Sequence, residues 1–105
     1  MVEKAAKFQV GQLVLHKRFG YRGVCFDVDP VFLGSDEWYD AVARSHPPRD
    51  APWYHVLVHD AVHTTYVAER NLEPDESTDP IRHAALDRLF EAFDAGYYRP
   101  RLKAN

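Results

Sequence analysis

Two stretches of the chain alternate apolar and polar positions with the period of a β-strand. In the first, Leu13 to Arg18 places Val14 and His16 on one face and Leu13, Leu15 and Lys17 on the other. Gly20 and Gly23 then bracket Tyr21-Arg22 in a tight turn or bulge, where glycine removes the penalty for positive φ. Val24, Phe26 and Val28 line one face of a second strand, and Asp29-Pro30 ends it because proline lacks a ladder donor. Residues 12–29 therefore read as a strongly bent hairpin. The second stretch starts at Pro52. Tyr54, Val56 and Val58 share one face, and Trp53, His55, Leu57 and His59 share the other. Asp60-Ala61 is the expected turn, His63 to Ala68 the return strand, Glu69 to Leu72 a short helical turn, and Pro74 to Asp79 an acidic loop.

Helical signals lie between and after the hairpins. Ser35 is an N-cap for a short helix with Asp36 and Glu37 in its first turn, and that helix must stop before His46-Pro47-Pro48. Asp79-Pro80 reads as a helix start. Leu86, Leu89, Phe90 and Phe93 then form an apolar stripe at i, i+3, i+4 and i+7, and Gly96 is the natural stop. The expectation is one mainly β domain spanning 1–105. It comprises a small barrel of about five antiparallel strands over residues 8–75, a short inserted helix, a C-terminal α-helix over 80–95 and a basic tail over 97–105. Closure into a barrel would remove the exposed strand edges of a small open sheet. The apolar stripe either packs on the barrel or makes an oligomer contact, and packing is favoured because so small a domain needs the buried area.

Composition changes this picture only locally. The 105 residues are 46% hydrophobic and 28% charged, as in a soluble globular domain. The single cysteine, Cys25, makes no internal disulfide, and neither a signal-peptide stretch nor a membrane-length apolar run is present, which together point to the cytoplasm and away from membranes. The net charge of −3 is uneven: residues 1–24 carry +4, residues 97–105 carry +3, and residues 25–96 carry −10. With a pI near 6.0, nucleic-acid contact must come from a local basic patch. Lys17, Arg18 and Arg22, interleaved with Phe19 and Tyr21, form one such cluster, and Arg99, Arg101 and Lys103 form another. These side chains either hold phosphates on one shared positive face or are a solvated turn and a tail.

Other chemistry is weaker. His55 and His59, at i and i+4 on a strand, stand about 13 Å apart at a rise of ~3.3 Å per residue, too far to share a zinc ion unaided. His59 and His63 flank a turn and His16 lies elsewhere, but no cysteine or spaced carboxylate completes a set, so no metal or other cofactor is expected. Asp27 and Asp29 form either a carboxylate pair or turn-making side chains before Pro30; the turn is the simpler account. Cys25 alternates with Val24 and Phe26, which predicts that it is less buried than they are and unreactive. Trp53, Tyr54, Phe26 and Tyr66 read as core, whereas Trp38 and Tyr39 suggest a protein-binding patch with aromatic anchors. No P-loop, nucleophile elbow or zinc motif is present, so no catalytic residues are assigned.

Several ordered blocks carry a family resemblance. Gly11, Val14, His16, Gly20-Tyr21-Arg22-Gly23-Val24 and Asp27-Val28-Asp29-Pro30 form the first; Ala51-Pro52-Trp53-Tyr54-His55-Val56 and Tyr66-Val67-Ala68-Glu69 form the second; Arg99-Pro100-Arg101-Leu102 forms the third. Over roughly two-thirds of its length, with the APWYHV block as the most specific part, the chain resembles the heat-shock protein HspQ family, also described as YccV-like hemimethylated-DNA-binding domains. The Asp60-Ala61-Val62 turn is shorter than the family's acidic, glycine-containing one, and neither the 33–50 insert nor the 80–95 segment matches residue by residue. The resemblance implies an SH3-like barrel and a non-enzymatic stress-response role. It implies binding of hemimethylated duplex DNA, and modulation of Lon-type ATP-dependent proteolysis of chosen substrates, including the replication initiator. It also implies self-association, as in a trimer. A Tudor- or KOW-like barrel that binds nucleic acid or protein in transcription or translation is the competing reading.

Overall fold

The computed structural model describes residues 5–101. Strands β1 (Leu13–His16) and β2 (Arg22–Asp29) form the first hairpin, with Leu13 opposite Val24. A short helix, α1 (Asp36–Val42), follows; the Ser35 side chain accepts from the Trp38 N–H at 3.0 Å, as its N-cap position predicts. Strands β3 (Trp53–Val58) and β4 (Thr64–Ala68) form the second hairpin, and β3 also pairs with β2. After a 3-10 turn at Glu69–Asn71, β5 (Leu72–Pro74) returns to β1. The expected mainly β domain is therefore present, as one antiparallel sheet in the order β4-β3-β2-β1-β5.

The sheet is not closed, which corrects the expected barrel. No ladder joins β4 to β5. Yet only the three residues of the 3-10 turn separate them along the chain, a span of some 6 Å at ~2 Å rise per residue. The sheet must therefore curl strongly enough to bring its two edges together at one end. β5 is too short, and ends too soon at Pro74, to complete the closure along β4.

Both faces of the sheet are covered. Val14, Cys25, Tyr54, Val56, Val67 and Leu72 pack with Phe8 on one face. Leu13, Val24 and Leu57 pack on the other against Ile81, Ala85, Phe90 and Tyr98. Alternation lets β2 serve both, and a bulge resets that alternation: Cys25 lies opposite Val56 and Asp27 opposite His55, so Phe26 is the extra residue. Val28 is thereby moved to the face of Tyr54 rather than that of Val24, and Cys25 is fully buried rather than the less buried neighbour. Gly23 has no Cβ because one would meet Leu57 O at 2.5 Å, where β2 crosses β3 closely; the left-handed turn conformation belongs to Gly20 alone of the pair, at φ +73°.

The expected helix over 80–95 is absent. Only one turn forms, α2 (Leu86–Leu89), and the chain continues as a hairpin of β6 (Phe90–Asp94) and β7 (Tyr97–Pro100). Ala95 and Gly96 both have positive φ, as a two-residue hairpin turn with matching twist requires. Gly96 thus turns a hairpin instead of capping a helix. The hairpin buries Phe90 and Tyr98 together on the second face, and the Tyr98 hydroxyl both accepts from Ile81 N–H at 3.0 Å and donates to Ile81 O at 3.3 Å. Tertiary packing outweighs the local helical pattern here. What reads as the start of a basic tail is strand, tied to Gln12 by an antiparallel bridge at Tyr97.

Candidate functional site

The β1–β2 turn is built on His16. The buried imidazole accepts, at Nδ1, the backbone N–H groups of Arg18 and Phe19, both at 3.1 Å, while Gly20 N–H donates to His16 O at 2.8 Å. An Nδ1 that accepts twice leaves the ring neutral with its proton on Nε2. Burial, and then the nearby Arg18 charge, push the His16 pKa below its usual value. Phe19 stacks on the ring at 4.7 Å between centroids, yet is 75% exposed. The turn therefore presents Lys17, Arg18 and Phe19 to solvent from a fixed base.

Of the other residues expected to contact DNA, Tyr21, Arg22, Arg99 and Arg101 have structural partners. Arg22 Nε meets Asp75 Oδ2 at 2.5 Å and its Nη2 donates to Asp79 O at 2.6 Å. Tyr21 is half-buried, with its hydroxyl 2.7 Å from Thr65 Oγ1. Arg99 pairs with Glu91 at 3.2 Å, and Arg101 Nε donates to Asp87 O at 2.6 Å. Lys103 lies outside the described residues. The bridge between Gln12 and Tyr97, followed by Tyr98 N–H to Gly11 O at 2.8 Å, carries β7 along β1 away from the Lys17–Gly20 turn. Arg99 and Arg101 consequently lie off the opposite end of β1 from Lys17 and Arg18, and these described cations do not share one face through the fold.

Beside the turn runs a groove of about 530 Å³. One wall is the turn itself, with His16, Arg18, Phe19 and Tyr21. The facing wall is α1 and the loop after it, with Trp38, Val42, Arg44 and Pro47. Between them lie Thr64, Thr65, Tyr66, Val67 and Ala68, the whole of β4. Of the aromatic pair expected as a patch, only Trp38 lines this groove. Tyr39 is buried beneath it and donates its hydroxyl to Pro47 O at 2.7 Å, while Arg49 stacks over it at 4.7 Å. Arg44 escaped the sequence reading: it is one basic residue in an acidic stretch, and only the fold of the insert brings it opposite Arg18.

The family-motif residues chiefly hold this scaffold. Asp29 Oδ2 accepts from the Tyr66 hydroxyl at 2.7 Å and lies 3.1 Å from His55 Nε2. Burial, then the bond to Asp29, raise the Tyr66 pKa, so its phenol stays a donor. Asp27, Asp29 and His55 each bring one ligand-type atom to within 4.8 Å of the others; the cross-strand register that joins them is invisible without the bulge. Trp53 Nε1 donates to Pro48 O at 3.0 Å, fixing the loop that follows α1. Tyr54 donates to the Glu69 carboxylate and accepts from Lys7 and Phe8 N–H, which ties the leading segment to the 3-10 turn. His59 Nδ1 accepts from Arg82 N–H at 2.8 Å, and His63 O lies 3.1 Å from His83 Nε2, so both serve the fold. The buried Cys25 thiol is pushed up to about 12 by burial and stays protonated.

The site thus comprises an exposed cationic turn and, next to it, an aromatic groove. A model of the YccV-like hemimethylated DNA-binding protein family matches residues 6–97 of the chain.

Proposed function

The chain belongs to the YccV-like hemimethylated DNA-binding protein family, and from that premise we propose that it is a non-enzymatic cytoplasmic regulator that binds hemimethylated duplex DNA. The observation that carries this reading is the family match over residues 6–97, which include the cationic turn. Lys17 and Arg18 form no ion pair with any described residue, so they are available to phosphates. Phe19, exposed between them and Tyr21, is an apolar group of the kind that contacts a base methyl in the major groove. Binding is measured by anisotropy on one duplex in unmethylated, hemimethylated and fully methylated forms, between about 50 and 200 mM salt. The hemimethylated form is expected to bind most tightly, with affinity falling steeply with salt. Lys17→Ala and Arg18→Ala are each expected to lower the salt slope by about 1. Equal, or absent, binding to all three duplexes would refute the reading.

A second reading is that the domain modulates Lon-type ATP-dependent proteolysis as a specificity-enhancing factor, including for the replication initiator, and works as a homo-oligomer such as a trimer. The aromatic groove along β4 favours it, because buried aromatic anchors are what protein recognition uses. Degradation of the initiator by Lon, with and without this protein, tests it directly.

A further inference from the structure

We propose that the groove along β4 is a docking site for an extended polypeptide, acidic and aromatic in composition, that adds itself to the sheet as a strand beside β4. This deepens the reading of the domain as a protein-recognition module. It requires neither DNA binding nor Lon.

The first support is the shape of the groove. Successive side chains of a strand point to opposite faces. Five consecutive residues, Thr64 to Ala68, can therefore line one groove only if it follows the strand's open edge. That edge is the place where the curled sheet fails to close.

The second support is the unpaired backbone. Glu69 N–H donates to Pro52 O at 3.1 Å, and the antiparallel register runs on from that pair, with Tyr54 opposite Val67 and Val56 opposite Thr65. Hydrogen-bonded pairs alternate in such a ladder. The N–H and C=O groups of Thr65 and Val67 thus face β3, and those of Thr64 and Tyr66 face the groove. No described residue bonds to the groove-facing groups. The β2–β3 ladder agrees: His59 N–H donates to Arg22 O at 2.8 Å, which turns the Leu57 backbone toward β2 and the Val56 backbone toward β4. The opposite edge, β5, is three residues long and ends in proline, a protected edge. β4 has five residues with neither proline nor lysine.

The third support is charge. The chain carries a net −3, yet no carboxylate is among the described residues lining the groove. Its two guanidinium groups, Arg18 and Arg44, stand on opposite walls and form no ion pair with described residues, unlike Arg22, Arg49, Arg82 and Arg99. Phe19 on one wall and Trp38 on the other offer rings for alternate aromatic side chains of the incoming strand. Backbone bonds would hold the segment and the wall residues would select it, as in other cases of strand addition.

The probe is a fluorescein-labelled decapeptide alternating Phe or Val with Glu or Asp, titrated with the intact protein. Saturable binding is expected. A version N-methylated at alternate amides, and a version with Lys in place of the acids, should each bind at least about tenfold more weakly. Thr64→Pro should abolish binding while leaving the folded spectrum intact, because the Thr64 N–H makes no ladder bond. Arg18→Glu with Arg44→Glu should invert the preference toward the Lys peptide. Equal binding of the N-methylated peptide, or indifference to both variants, overturns the proposal. So does displacement of the probe by a single-stranded oligonucleotide, or self-association of the chain that Thr64→Pro abolishes. If Thr64→Pro binds the peptide as tightly as the unmodified protein while Lon is still stimulated, the groove proposal falls and the adaptor reading stands. If the peptide binds but Lon is unaffected, the reverse holds.

Discussion

Tyr21 Oη and Thr65 Oγ1 lie 2.7 Å apart, joining the end of the first hairpin turn to the middle of β4 across the mouth of the open sheet. The bond ties the turn to the edge strand, and both residues line the groove. Burial raises the Tyr21 pKa, so the phenol remains neutral and able to donate at ordinary pH.

Tyr21→Phe removes that latch and keeps the ring's packing. A loss of about 1 kcal/mol in urea unfolding is expected, typical of one hydrogen bond. Faster amide exchange should be confined to β4 and the 17–20 turn. A uniform increase in exchange would mean that the bond has no local role.

His16 makes the turn sensitive to acid. Its folded pKa is depressed below 6.5, so between that value and the folded pKa the unfolded chain binds more protons than the native one. The stabilisation is complete above pH 6.5 and is lost as pH falls toward the folded value. Protonation also abolishes the Nδ1 acceptor used by Arg18 and Phe19. Denaturation midpoints measured downward from pH 7 should decline, and His16→Ala should remove that part of the slope. An NMR titration placing His16 above 6.5 would contradict the geometry.

Arg22 and Arg18 should separate in mutagenesis although they sit in one basic cluster. The Arg22–Asp75 pair is largely buried, with side-chain exposures of 22% and 9%, so Arg22→Ala leaves a nearly buried carboxylate unpaired. It should cost about 2–4 kcal/mol of stability. Arg18→Ala, at an exposed position, should change stability by less than about 0.5 kcal/mol and act on ligand binding alone. Chemical denaturation of the two variants decides the matter; equal costs would show that the Asp75 contact is not stabilising.

Much of the site's scaffold was legible in the chain. Alternation located β1 to β4, Ser35 located α1, and the blocks around Tyr21 and Trp53 identified the family. The faces of β2 were misjudged because a bulge at Phe26 resets alternation without leaving a sequence mark. β5 escaped because three residues of edge strand have no periodicity to detect.

The sequence alone determined the local conformations whose causes are local: two alternating hairpins, a capped helical turn, and an uneven charge with its cationic bend at Lys17 and Arg18. Only the tertiary structure decided whether Leu86 to Phe93 would be helix or strand, since burying Phe90 beside Tyr98 outweighs a 3.6-residue stripe. It alone decided which cations are spent on Asp75 and Glu91 and which stand free. It alone decided that the sheet stays open along β4. Those outcomes depend on contacts between residues far apart in the chain, and no pattern of neighbours encodes them.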